Sequence, residues 1–173
     1  MQPIKLAVRC LLIVVILAAV RPAPFRAGAE IRHVPHDYAT IQAGIDACMP
    51  GDTVLVESGF YPENVFFGPY DITVASNYLL TQDPAYIANT VIQSMAPDLP
   101  VVHIAAGQTR AALLCGFTIT GAMGMQGNGV RCSGTSPTIA YNTINNNCAR
   151  FDGGGIYVEL GSPDIRRNTI TGN

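Results

Sequence analysis

A right-handed parallel β-helix is the fold this sequence predicts: an all-β, three-sheet solenoid of roughly five coils behind a short N-terminal capping helix. Three observations carry that reading. Residues 127–147 (GNGVRCSGTSPTIAYNTINNN) and 153–173 (GGGIYVELGSPDIRRNTITGN) are identical at nine of 21 positions at a constant offset of 26 residues, the self-similarity of a repeat architecture. Each repeat holds three short apolar nuclei separated by Gly, Pro, Ser and Asn, too many breakers for a helix interior. Three strands per repeat make one coil, and stacking coils pairs each strand with its equivalent in the next.

The elements follow in chain order. Residues 1–29 read as an export signal. Lys5 and Arg9 precede the apolar run 11–20 (LLIVVILAAV), and Ala27, Gly28 and Ala29 give the small-x-small pattern of a cleavage site before Glu30. The run is about half the length a spanning helix needs. The mature chain is therefore expected to be secreted or extracytoplasmic, with no membrane association after cleavage.

Residues 30–50 form the N-terminal cap. Residues 31–34 are an edge strand. A helix follows, with Thr40 as N-cap and Ile41, Ile45 and Cys48 on one face. Pro50, Gly51 and Asp52 turn the chain into the first coil.

Residues 51–173 are the coils. Strands are expected at 53–56, 64–67, 71–75, 89–93, 101–104 and 115–121, and then in the two clear repeats. Val130, Ile139 and Ile144 point inward onto Ile156, Ile165 and Ile170. Pro137 and Pro163 open strands, where a lost N–H is tolerated. Asn142 and Asn168 stack at one corner, and Asn147 and Asn173 close the repeats as a second ladder. Asn142 is expected to adopt the left-handed conformation that a sharp corner demands. The final repeat ends at Asn173 without a covering segment. This predicts a chain that stops early, with an open C-terminal edge able to self-associate.

Charge excludes one class of function. After removal of residues 1–29 the chain carries six basic residues, all arginine, against twelve acidic ones, a net charge of −6. No basic stripe for nucleic acid exists, and a dense polyanion would be repelled unless a cation bridged the charges. Cys48, Cys115, Cys132 and Cys148 remain, in three possible disulfide pairings. Their spacing fits no zinc pattern, and Cys132 falls at an inward position as a buried thiol.

Several residues resemble a known family. Thr40, Ile41, Gln42, Ala43, Ile45, Asp46 and Ala47, then Gly51, Asp52, Thr53, Val54 and Val56, then Gly59, Tyr61, Glu63, Asn64 and Val65, resemble the opening of pectin-lyase-like β-helix proteins, pectinesterases among them. Gly116, Phe117, Thr118, Ile119 and Thr120, with the Ser-Pro-x-Ile-x-x-Asn-x-Ile repeats, look like generic bacterial β-helix repeats. The resemblance implies this fold and a set of activities that includes polysaccharide lyases, hydrolases, esterases and non-catalytic surface proteins. It implies no catalytic set here: the segment 116–120 lacks the pectinesterase acid, and no two acidic residues are adjacent.

The outward positions of the first strand in each coil give the candidate site. His103, Arg131 and Tyr157 align there, with Glu159 two residues beyond. Such a ladder offers contacts to sugar hydroxyls or a uronate carboxylate. Asp152, Glu159 and Asp164 are the acids of the last coils, and their spacing makes no acid and nucleophile pair. Asp152 beside Gly153 offers too few oxygens for calcium. His33 and His36 make no metal site, so no metal or cofactor is expected. Arg166 and Arg167 read as an unpartnered basic pair. The expected function is a secreted, non-catalytic module contacting extracellular polysaccharide or a cell surface. The alternative is a polysaccharide-degrading enzyme cut short before its catalytic coils. The absence of any Asn-x-Ser/Thr sequon fits a bacterial source.

Overall fold

The computed structural model describes residues 28–126 and 129–173; the proposed signal, apart from its last two residues, lies outside them. The described chain is all-β, with parallel strands in stacked sheets and three short helices. The elements are β1 (Ile31–Val34), α1 (Ile41–Asp46), β2 (Thr53–Val56), β3 (Gly59–Pro62), β4 (Val65–Phe66) and β5 (Thr73–Ser76). Next come α2 (Tyr78–Thr81), α3 (Ala85–Asn89), β6 (Thr90–Gln93), β7 (Val102–Ile104), β8 (Leu113–Cys115), β9 (Thr118–Thr120) and β10 (Met123–Gln126). The two repeats supply β11 (Val130–Ser133), β12 (Thr138–Ala140), β13 (Thr143–Asn145), β14 (Cys148–Asp152), β15 (Ile156–Glu159), β16 (Asp164–Arg166) and β17 (Thr169–Thr171).

Three sheets wrap the core. The first runs β1-β2-β5-β8-β12-β16, the second β17-β13-β9-β6-β3 and the third β15-β11-β7-β4. The offset of 26 becomes register: Val130 pairs with Ile156, Ile139 with Ile165 and Ile144 with Ile170. Upstream the stacking continues with Leu114 against Ile139 and Ile119 against Ile144. Leu114, Ile119, Val130, Ile139 and Ile144 are buried and form one core with Val54, Val74, Ile92, Val102 and Cys132, whereas Ile165 and Ile170 of the last repeat are exposed, because a three-residue strand with one inward apolar side chain is covered only when it is stacked on both sides.

Helix α1 starts at the N-cap that the sequence predicts. The Thr40 hydroxyl accepts from the Ala43 N–H at 3.1 Å, and Ile41, Ile45 and Cys48 are buried. Sequence reading missed the Glu63 carboxylate, which accepts from the Ile41 and Gln42 N–H groups at 3.0 Å each and satisfies two of the first-turn donors.

Three expectations change. Asn142 does not take the left-handed conformation; Tyr141 and Arg167, one residue earlier, do so at φ 58° and 54°. The asparagine keeps a negative φ while its side chain reaches backbone groups on both sides. Each late coil also has a fourth strand, since β10 and β14 pair as a separate two-stranded sheet. Finally, α2 and α3 occupy a connection to which the sequence reading assigns no element.

Candidate functional site

The outer face of β4, β7, β11 and β15 positions the candidate residues. Because side chains alternate along a strand, the inward Val102, Ile104, Val130 and Cys132 force His103 and Arg131 outward. Register then places Phe66 beside His103, His103 beside Arg131, and Arg131 beside Tyr157, at the strand spacing of about 4.8 Å. Phe66 was missed in the sequence because its coil has a two-residue strand and matches the repeat poorly.

The row is an interacting stack. The Phe66 and His103 rings meet edge to face at 5.9 Å between centroids. The Arg131 guanidinium carbon lies 5.6 Å from the centre of the Tyr157 ring, within cation–π range. Glu159, paired in register with Ser133, sets its carboxylate 3.6 Å from Arg131 Nη2. His103, Arg131, Ser133 and Tyr157 are half-buried, whereas Glu159 is exposed.

Three neighbouring polar atoms in this face, His103 Nε2, Arg131 Nε and Ser133 Oγ, are buried and have no hydrogen-bond partner among the described residues. Buried polar atoms without partners are uncommon. Burial, and then the Arg131 charge, hold the His103 imidazole below its ordinary pKa of 6.5. The ring is therefore neutral at neutral pH and presents one donor and one acceptor nitrogen.

Asp152, Glu159 and Asp164 belong to β14, β15 and β16, on three different sheets. No cluster of three or more metal-ligating side chains occurs among the described residues. Asp37 accepts from the His33 backbone N–H at 2.9 Å, and its carboxylate lies 2.7 Å from His36 Nδ1. The four described cysteines make no disulfide with one another. Burial pushes the Cys115 thiol up to about 11 and the Cys132 thiol up to about 12.

The asparagines form two ladders. Asn168 Oδ1 accepts from the Asn142 N–H at 2.9 Å and from Asn142 Nδ2 at 3.1 Å. Asn173 Oδ1 receives the same two bonds from Asn147 at 3.0 and 3.1 Å. These residues hold the corners and contribute nothing to the outer face.

The chain belongs to the family described as Protein of unknown function (DUF1565), whose model matches residues 76–173, more than half of the 173-residue sequence. That span contains His103, Arg131, Tyr157, Glu159 and all four ladder asparagines. No curated protein and no solved structure matches the chain.

Proposed function

We propose that this member of the DUF1565 family is an exported, non-catalytic carbohydrate-binding module, a right-handed parallel β-helix of roughly five coils similar to pectin-lyase-like proteins. The ligand lies along the Phe66, His103, Arg131 and Tyr157 row. The observation that carries the reading is the in-register row with three unpartnered polar atoms in one patch. Sugar hydroxyls donate and accept in turn and match that patch. The Phe66 and Tyr157 rings suit the apolar face of a sugar ring. Glu159 offsets the Arg131 charge, and the mature chain is acidic, so the preferred polymer is neutral or sparsely charged rather than a dense polyanion.

The export reading has support from packing. The Glu30 N–H donates to the buried Asp52 carboxylate at 2.8 Å. Cleavage before Glu30 turns this donor into an ammonium beside that carboxylate, which strengthens the contact. Mass spectrometry of material from the exporting host should find Glu30 as the first residue.

Affinity electrophoresis through gels containing single polysaccharides tests the binding reading, with reducing ends and unsaturated products assayed alongside. Retardation by a neutral polysaccharide, weakened in both Arg131→Gln and Tyr157→Ala, is expected without product. Product release would make the chain an enzyme. Mobility unchanged across neutral and acidic polymers would end the binding reading.

A further inference from the structure

The first sheet carries a second feature, away from the row just described. Its strands are joined to those of the second sheet by corners of two residues: Gly116 and Phe117, Tyr141 and Asn142, Arg167 and Asn168. The β5–β6 connection departs from this pattern and runs through residues 77–89, thirteen residues carrying α2 and α3. An insertion in one repeat of a solenoid commonly builds a binding surface. This one folds back over the sheet. The outward side chains Leu55, Ala75, Cys115 and Ala140 are buried, and Thr118 Oγ1 anchors α3 by donating to the Ile87 carbonyl at 2.8 Å.

Between the insertion and the sheet lies a cleft of about 170 Å³ lined by Tyr78, Leu79, Gln82, Leu113, Cys115, Ala140, Tyr141 and Arg166. A cavity of about 150 Å³ accommodates benzene, so the space fits one six-membered ring. Its floor is small and apolar. Tyr78 and Tyr141 pack at 5.2 Å between centroids and make an aromatic wall. Among the described residues no acidic one lines it, while Arg166 lines it and Arg167 lies beside it on Tyr141. Arg166 donates through Nη1 to Asp164 at 2.6 Å and keeps further donors, and Arg167 stacks on Tyr141 with its Cζ 5.7 Å from the ring centre. The pair that read as unpartnered in the sequence is thus built into the cleft mouth. Screening over about 8–10 Å lets these local charges outweigh the acidic remainder of the chain.

We propose that this cleft binds a single six-membered ring bearing a carboxylate, the ring against Tyr78, Tyr141 and Ala140 and the carboxylate on Arg166. A uronic acid and an aromatic acid share that chemistry. Ligand-observed saturation-transfer NMR on the purified chain separates them, with glucuronate against glucose and benzoate against benzyl alcohol. One acid should bind about tenfold more tightly than its neutral counterpart, the value expected for one charge-assisted contact. Arg166→Gln should abolish that preference. Ala140→Leu, which fills the floor, should abolish binding. Tyr141→Gly keeps the left-handed backbone, removes the wall, and should weaken binding if Ala140→Leu does not fold. The preference for benzoate over benzyl alcohol should persist in Arg131→Gln, whatever that variant does to the two sugars at the row on the third sheet, so this preference reports the cleft alone. Equal binding of acid and neutral ligand overturns the carboxylate assignment. Absence of transfer from all four, or transfer indifferent to a folded Ala140→Leu or Tyr141→Gly, overturns the site.

Discussion

Replacing Asn142 by Ala tests whether the corner ladder, rather than apolar stacking alone, holds neighbouring coils together. Asn142 Oδ1 accepts from the buried Phe117 N–H at 3.0 Å, and Nδ2 donates to the Leu114 and Ala140 carbonyls at 3.0 Å each. Alanine leaves the Phe117 N–H without a partner inside the core, at about 1–3 kcal/mol, and removes donations worth about 0.5–1.5 kcal/mol each. The two carbonyls retain a second lone pair for other donors, so the expected loss is about 3 kcal/mol. That is a large share of a domain stability of about 5–15 kcal/mol. Asn168→Ala should lose less, about 1 kcal/mol, because Asn168 is half-buried and water reaches the groups it leaves. Asn145→Ala, on the outward side of the same coil, should stay within about 0.5 kcal/mol. Urea unfolding followed by far-UV circular dichroism gives the three values, with an unchanged m showing that only stability moved. A loss below about 1 kcal/mol for Asn142→Ala, or one equal to that of Asn145→Ala, would refute the ladder argument. Asn142→Asp adds an internal check. It points a carboxylate at two carbonyls, so it should be worse than alanine at neutral pH and recover partly in acid.

Further outcomes follow from the same geometry. The depressed His103 pKa means that the unfolded state takes up a proton first as pH falls below about 6.5. His103 therefore supports the fold fully above that pH and loses its contribution as pH falls toward the folded-state value; a flatter stability profile in His103→Gln between about pH 7 and 5 would confirm it. Thiol labelling should modify Cys48, Cys115 and Cys132 only on unfolding, since burial raises the pKa of all three thiols. Asn146 lies at φ 51°, where the stacked positions hold Gly121 and Gly172. Asn146→Gly should be near neutral and Asn146→Val should cost about 1–2 kcal/mol in the same urea assay.

The fold was legible where the repeat is strict. The offset of 26 states which residues stack, and the register repeats it pair by pair. Outward alternation then identifies His103, Arg131 and Tyr157 without coordinates. Legibility stops where the period stops. In 77–89, Leu79, Leu80 and Ile87 carry no strand or helix period long enough to decide between them. The pairing of β10 with β14 is invisible because MGMQ and CARFD share no residue and backbone bonds hold them. The left-handed corner was assigned by residue preference to Asn142. The requirement that the amide span two coils wins instead, and the bend moves to Tyr141.

These differences predict how the two proposed sites respond to mutation. On the third sheet the row residues are half-buried and lie outside the core, so Arg131→Gln or Tyr157→Ala removes contacts to neighbours without touching inward packing. Binding and stability should separate there: binding falls while the urea midpoint moves by less than about 1 kcal/mol. On the first sheet the outward side chains Cys115 and Ala140 are buried beneath the insertion. Changes to the cleft floor strain the contact between α2 and the sheet, and overpacking of that kind costs about 1–3 kcal/mol. Stability and binding should fall together for Ala140→Leu, while Arg166→Gln at the exposed mouth should change ligand preference alone. If Arg166→Gln destabilised the fold as much as Ala140→Leu, the arginine would belong to the packing of the last coil and the carboxylate assignment would fail.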